Sequence, residues 1–265
     1  MIDTHCHLTF RHYEGRVEQV LADARAEGVR GVITIATTSV DAQAALKLAQ
    51  QHENVWCSSG MHPLHSDDAI DWDVLREVGE DPNCVAWGEL GLDNHYDKPP
   101  RALQDRVLEE QLTHLARWKT EGLDKPIVVH CREAFDDLIP VLRDSAFAPE
   151  RFVFHCFTGS EDDARKVLDF GAWISFTGVV TFRNAPEVAA AAKLVPRDRI
   201  MVETDAPFLS PEPVRTARPN EPKYVVHIGR YIAELRDEDE AAFEAQLDAN
   251  AERFFGITLP PVTNR

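Results

Sequence analysis

Eight short β-rich runs alternate with helical patterns from one end of the chain to the other, and this alternation leaves few folds open. The runs fall at residues 2–7, 31–36, 55–60, 85–91, 126–130, 151–155, 173–176 and 199–203. Helical periodicity fills the intervals, for example at 17–27, 41–51, 102–121, 133–144 and 161–169. Several runs are apolar throughout, such as Ile127-Val128-Val129 and Phe152-Val153-Phe154, the pattern of a parallel sheet covered on both faces. Spread over 265 residues, each unit takes about 33, which suits an α/β chain closed into a (β/α)8 TIM barrel. A doubly wound open sheet is the main competitor, but it gathers its ligands at one switch point and does not need chemistry on many strands. No Pro/Gly-rich linker divides the chain, so a single domain over 1–265 is expected, with the Pro-rich stretch 207–222 as a long loop after the last strand.

The chemistry-bearing residues sit where a barrel puts its active site, at the C-terminal ends of the strands. His5 and His7 flank Cys6 on the first run, so strand alternation turns both imidazoles to one face. Glu89 ends the fourth run, His130 the fifth and His155 the sixth, and Asp205 follows the eighth. Any one of these histidines has a structural reading, and an Asp before Ala-Pro is a common turn former. Imidazole or carboxylate at all of these strand ends together is hard to reach by accident. Four imidazoles and two carboxylates suit two divalent cations that share a carboxylate. His5, His7 and Asp205 are expected to hold one, His130 and His155 the other, and Glu89 to bridge them. Imidazole donors favour Zn, Mn, Co or Ni, with Mg less well matched.

Composition narrows the setting. Hydrophobic residues make up 44% of the chain, enough for a sizeable core. No apolar run reaches the roughly 18 residues of a spanning helix, and the N-terminus lacks a basic leader, so a cytoplasmic location without a membrane partner is expected. The five cysteines are odd in number, scattered and without a Cys-x-x-Cys pair, which argues against a disulfide framework. Cys6, Cys131 and Cys156 adjoin the histidines and are expected to face away from the metals as small buried residues. The net charge of −17 excludes a broad basic face for nucleic acid. Attraction for a polyanion must then be local, at a centre where two cations outweigh two carboxylates.

The segments Asp3-Thr4-His5-Cys6-His7-Leu8, Gly60-Met61-His62-Pro63, Gly88-Glu89-Leu90-Gly91-Leu92-Asp93, His130-Cys131-Arg132-Glu133-Ala134, His155-Cys156-Phe157-Thr158-Gly159 and Glu203-Thr204-Asp205-Ala206-Pro207 run nearly end to end. With Asn220-Glu221-Pro222 and Asn250-Ala251-Glu252-Arg253-Phe254-Phe255-Gly256, they make the chain resemble the TatD-related deoxyribonucleases, metal-dependent hydrolases of the amidohydrolase superfamily. The resemblance implies a TIM barrel, a two-metal site and hydrolysis of DNA phosphodiesters, often from the 3′ end. It also implies that His62 and Asp93 lie close to substrate. The chain departs from the family pattern at Thr9, Leu64, Asn94-His95 and Pro219, none of which is an expected metal ligand.

The expected activity is therefore a metal-dependent phosphodiesterase acting on DNA as its partner, at single-stranded or frayed 3′ ends. Asp205 is the expected proton acceptor, with His62 the next candidate and Glu89 the shared ligand. Arg132, Arg215 and Arg218 are candidate phosphate contacts, each with an equal reading as a surface arginine. An amide or ester hydrolase, including one for aminoacyl-tRNA esters, would use the same ligands. A non-catalytic barrel is the remaining alternative, and an intact ligand set argues against it because buried unpaired polar groups are costly. No obligate protein partner is evident. His12, His52, His114 and His227 read as structural, and His65 and His95 as loop residues near the mouth.

Overall fold

In the computed structural model, which describes residues 1–261, eight strands form one parallel sheet in sequential order. They are β1 (Ile2–Cys6), β2 (Gly31–Thr34), β3 (Val55–Ser59), β4 (Cys84–Asp93), β5 (Ile127–Arg132), β6 (Phe152–Phe154), β7 (Trp173–Phe176) and β8 (Ile200–Val202). β8 meets β1 through a parallel bridge between Cys6 and Ala206. Beside it the Asp205 amide donates to the His5 carbonyl at 2.9 Å and the His7 amide to the Ala206 carbonyl at 2.7 Å. The result is a nearly closed (β/α)8 TIM barrel, as the alternation predicts. The end of the expected 1–265 unit, residues 262–265, lies outside the described residues.

The helices are α1 (Val17–Ala26), α2 (Ser39–Gln51), α3 (Trp72–Glu80), α4 (Arg101–Thr120), α5 (Phe135–Arg143), α6 (Glu161–Phe170), α7 (Pro186–Leu194), α8 (Val225–Leu235) and α9 (Glu240–Phe255). Local chemistry starts and stops them. The Ser160 hydroxyl accepts from the Asp163 amide while the Asp163 carboxylate accepts from the Ser160 amide, and Gly171 closes α6 in the left-handed region. α6 therefore begins soon after β6, which keeps the connecting segment 155–160 short and fixed.

Alternation divides the barrel interior into layers. Val128, Val153, Trp173 and Met201 belong to one apolar cluster with Ile2, Ile33 and Val85. Two residues further along each strand come His130, His155, Ser175 and Glu203, on the same inward face. Phe254 and Phe255 of α9, with Ile257 and Leu259, seal the floor from below. Large residues on the intervening strand positions, such as Phe152, Phe154 and Phe176, are fully buried in the outer core between sheet and helices.

Four strands stop one residue earlier than the sequence suggests, β1 at Cys6, β3 at Ser59, β6 at Phe154 and β8 at Val202, and β2 stops two earlier, at Thr34. His7, His155 and Glu203 thus lie just beyond the ladder, where the chain turns across the mouth. β4 runs longer than expected, to Asp93. Its glycines are sterically required. A Cβ on Gly88, at φ +106°, would lie 2.4 Å from the Val128 carbonyl oxygen, and one on Gly91, at φ +149°, 1.9 Å from that of His130. The Gly88-Glu89-Leu90-Gly91 segment can therefore press against β5 and carry Glu89 to His130.

Candidate metal centre

Glu89 stands at the middle of the mouth, and its two oxygens face different partners. Oε1 lies 2.6 Å from His155 Nε2, 2.8 Å from His130 Nδ1 and 3.3 Å from His62 Nε2. Oε2 faces His5 Nε2 at 3.4 Å. On that side His5 Nε2 lies 3.3 Å from His7 Nε2, and Asp205 Oδ1 lies 3.4 Å from His7 Nε2 and 3.7 Å from His5 Nε2. The six expected ligands are thus gathered in one place, in two groups on either side of one carboxylate. All but His130 and Asp205 are buried.

Hydrogen bonds on the far side of the His7, His155 and His130 rings fix which nitrogen carries a proton. His7 Nδ1 sits 3.0 Å from the Ile35 carbonyl, which can only accept, so Nδ1 holds the hydrogen and the Nε2 lone pair points inward. His155 Nδ1 faces Glu203 Oε1 at 3.2 Å, leaving Nε2 for the centre. His130 is turned over: Nε2 faces Asp93 Oδ2 at 2.9 Å, and Nδ1 is the inward atom. His62 differs from all three. Its Nδ1 accepts the Leu64 amide at 3.0 Å, so in the neutral ring the hydrogen sits on Nε2 and points into the mouth. His62 is near enough to Glu89 and His130 to join a ligand cluster, but its tautomer makes it a donor.

The electrostatics suit cations. Burial opposes ionisation of Glu89, but the charges of His155 and His62 and the bond from His130 hold it well below the usual carboxylate range. Burial likewise opposes the charge on His155, and Glu89 and Glu203 together raise it well above the ordinary histidine value. His130 is raised despite burial by Asp93 and Glu89, and His7 by Asp205. Asp205, destabilised by burial, is nonetheless lowered by its bond from His7 and the charge of His5. Burial drives His62 the other way, down to about 4, against the pull of Glu89. Glu89 Oε2 and His5 Nδ1 are buried without a hydrogen-bond partner. An unpartnered carboxylate oxygen facing inward imidazoles is the donor chemistry of a divalent ion such as Zn or Mn, so the residues fit the expected group.

Two buried carboxylates stand out that sequence reasoning did not assign. Glu203 accepts from the Cys156 amide at 2.6 Å, the Ser175 hydroxyl at 2.6 Å, His155 Nδ1 at 3.2 Å and the Thr4 hydroxyl at 3.4 Å. With four donors it is saturated, and it positions His155. Asp3 accepts from the Thr204 amide at 2.8 Å and bonds the Thr204 hydroxyl at 2.6 Å, which fixes the chain next to Asp205. Burial pushes Asp3 up to about 8, against its Thr204 bonds. Strand position was the available signal for Glu203, which lies two residues beyond Met201 on an inward face. Asn220 pins the long loop: its Nδ2 donates to the Thr204 carbonyl at 3.0 Å and the Phe208 carbonyl at 2.5 Å.

Other candidates land differently. Asp93 lines the cavity, but Oδ2 holds His130 and Oδ1 accepts the His95 and Tyr96 amides at 2.9 and 3.1 Å, so its free capacity toward substrate is small. Arg132 lines the mouth with its guanidinium 5.2 Å from the Tyr96 ring centre. Arg218 does not line it; its Nη1 donates to Ser210 Oγ and to the Arg215 and Ala217 carbonyls, bracing its own loop. Arg215 lies over the Phe182 ring at 3.7 Å. Cys6 is buried as expected, but the other two are corrections: Cys131 is buried yet lines the cavity, and Cys156, beyond the end of β6 at φ +44°, lines it half-buried.

The cavity above Glu89 has a volume of about 1070 Å³. Seven carboxylates line it, those of Glu89, Asp93, Glu133, Asp136, Asp137, Asp163 and Asp205, against one permanent cation, Arg132. Among the described residues no helix is long and apolar enough to cross a membrane.

The sequence profile of the TatD-related DNases matches residues 2–256. The uncharacterized metal-dependent hydrolase YcfH of Escherichia coli K12 is 38% identical over 239 residues, covering 89% of this chain and 88% of the relative. The 3′-5′ ssDNA/RNA exonuclease TatD of Pantoea ananatis is 33% identical over 267 residues, covering 97% and 100%. The crystal structure of YjjV, a TatD homolog from E. coli K12, superposes with a TM-score of 0.89 at 28% identity and covers 97% of this chain and 98% of its own.

Proposed function

Since the chain belongs to the TatD-related DNase family and is a metal-dependent hydrolase, we propose that it trims single-stranded DNA from the 3′ end by hydrolysing phosphodiesters at two divalent ions. The observation that carries the two-ion reading is the division of Glu89, one oxygen toward His130 and His155 and the other toward His5. On this reading His5, His7 and Asp205 hold one ion, His130 and His155 the other, and Glu89 both. Bound there, the ions would lower the pKa of a water and take up charge growing on the phosphoryl oxygens.

The chain's own groups supply the rest. Asp205, kept dissociated by His7 and His5, accepts the proton of the attacking water. His62 is neutral in the working pH range and presents Nε2–H to the mouth, so it donates a hydrogen bond to a phosphoryl oxygen. On this reading His62 acts as a donor and Asp205 as the base. Asp93 and Glu203 hold His130 and His155 in the ligating orientation. Arg132, which lines the mouth, is the candidate for the next phosphate along the strand. The seven carboxylates around the cavity leave no basic track for a long duplex, which supports end-directed cutting. Five free cysteines are consistent with a cytoplasmic enzyme.

The test is to strip the protein with chelator, restore Mn, Zn, Co, Ni or Mg singly, count metal by elemental analysis, and assay end-labelled single strands, blunt duplexes and closed circles. Two ions per chain and stepwise release from single-stranded 3′ ends are expected. Rapid cutting of closed circles overturns the end-directed reading. Failure on all DNA with every metal, with turnover of an amide or ester, moves the enzyme to that class.

A further inference from the structure

Among the described residues four large apolar side chains are exposed, and the two aromatic ones, Tyr96 and Phe208, both line the catalytic mouth. Phe208 is 48% exposed and Tyr96 50%, values at which a large ring loses contact with the core. They stand on opposite halves of the metal centre. The Phe208 amide donates to the Asp205 carbonyl at 3.0 Å, beside His5 and His7. The Tyr96 amide donates to Asp93 Oδ1 at 3.1 Å, beside His130.

Each ring is tied down at its base and exposed beyond it. Phe10 stacks on His7 with centroids 4.7 Å apart and planes 15° apart, and Phe208 meets Phe10 edge-on at 6.1 Å. A ladder of rings therefore runs from a candidate ligand to the surface. The Phe208 carbonyl is held by the buried Asn220 amide. Across the mouth, Arg132 lies against the Tyr96 ring, and His95 meets that ring edge-on at 4.9 Å. Neither exposed ring fills a packing vacancy, so folding alone does not account for them.

We propose that Phe208 and Tyr96 are nucleobase platforms, one on each side of the scissile phosphate, that stack the bases of an unpaired strand. The proposal rests on the phosphodiesterase reading and adds how the substrate is recognised. The charge balance at the mouth favours it. Of the seven carboxylates around the cavity, Asp136 and Asp163 are paired with Lys166 and Asp137 with Arg101, and the cavity's own permanent cation is Arg132, so phosphates beyond the metal centre gain little, whereas stacking does not depend on charge. Every base has a π-face, so the platforms tolerate any sequence, while a paired base is already stacked in its duplex and unavailable.

The test compares the metal-loaded wild type with Phe208→Ala, Phe208→Leu, Phe208→Trp and Tyr96→Ala, on single strands that are intact or carry one abasic nucleotide near the 3′ end. Phe208→Ala and Tyr96→Ala are expected to raise KM on the intact strand by about 5- to 150-fold, the worth of one base–aromatic stack. Phe208→Trp should retain affinity, and Phe208→Leu, which keeps apolar bulk without a π-face, should lose it. The diagnostic is non-additivity: at one abasic position for each ring, loss of the ring and loss of the base should together cost no more than either alone. Additive penalties at every position would mean the rings act only on structure, and overturn the proposal. Binding of a nuclease-resistant phosphorothioate strand containing 2-aminopurine separates this from the parent reading. Quenching by wild type that is lost in Phe208→Ala supports the platforms even if no DNA is cut, and absence of quenching in wild type overturns them even if DNA is cut.

Discussion

The floor and the mouth of the barrel are built from the same strands, two residues apart, and they are opposite in kind. Val128, Val153 and Met201 are apolar, buried and fully packed. His130, His155 and Glu203, the next inward residues on those strands, are polar, charged by mutual contact and dependent on hydrogen bonds. The floor gains stability from removing apolar surface from water, a term that needs no particular orientation. The mouth gathers five imidazoles and several carboxylates out of water, which is unfavourable unless every group has a partner. A rigid floor directly beneath is what allows that arrangement to persist: each inward strand position is fixed by the packed residue two below it.

Glu89→Gln replaces the shared carboxylate by an amide that bridges two cations poorly, and activity should fall by about 10³-fold or more, beyond the ~10–100-fold typical of a lost outer partner. Elemental analysis should find both ions weakened together. Full loading of both sites in this variant would mean the two halves do not share Glu89.

A floor mutation should do the reverse. Met201→Ala, two residues below Glu203, is expected to cost about 2–5 kcal/mol of stability in denaturant titration. Turnover per folded molecule should stay within about twofold, since Met201 touches no reacting group. Loss of turnover in the folded protein would show that the layers are not separable.

On the same strand, Glu203→Gln tests the boundary between the layers. It should lower metal affinity by ~10–100-fold through loss of the His155 partner. Competition with a calibrated chelator measures this, and an unchanged affinity would remove Glu203 from the positioning role.

The smallest expected effect is on pH. In chelator-treated protein, Asp3 (raised to about 8) and His7, His130 and His155 (all raised) keep protons that the unfolded chain releases. The folded state then binds more protons, so stability falls as pH rises from about 6.5 to 8. His62 and His5, whose values are lowered, act in the opposite sense but below about 6.5, the unfolded histidine value. The melting temperature should drop by a few degrees across that window, at ~2–4 °C per kcal/mol. Metal-loaded protein should show the reverse slope, because ligands must lose protons to bind. Asp3→Asn should flatten part of the drop. A chelated protein more stable at pH 8 than at 6.5 would show that protons do not stabilise the empty centre.

Much of this molecule is legible in its sequence because alternation is local. The apolar runs at 127–129 and 152–154 announce buried parallel strands, and a ligand-type residue at their ends marks the catalytic face. Glycines at 88 and 91 flank Glu89 for a reason that only the β4–β5 contact reveals, since the forbidden Cβ positions collide with carbonyls of residues 40 and 39 positions away. Cys156 escaped the alternation rule because β6 ends before it, so a residue expected to face the helices lines the cavity. Arg218, adjacent to a proline-rich motif, satisfies its own loop carbonyls, and no local pattern distinguishes that from a phosphate contact.

By itself the sequence determined the order of elements, the barrel, and which residues could ligate metal, because periodicity and residue chemistry are carried by neighbours along the chain. The tertiary structure alone decided which nitrogen of each histidine faces inward, since that depends on partners as remote as Ile35 for His7, Glu203 for His155 and Asp93 for His130. It alone separated His62, a donor, from histidines of identical composition. It alone brought Phe208 and Tyr96, 112 residues apart, to opposite sides of one mouth. Closure of the sheet is what sets those distances, and no local rule contains it.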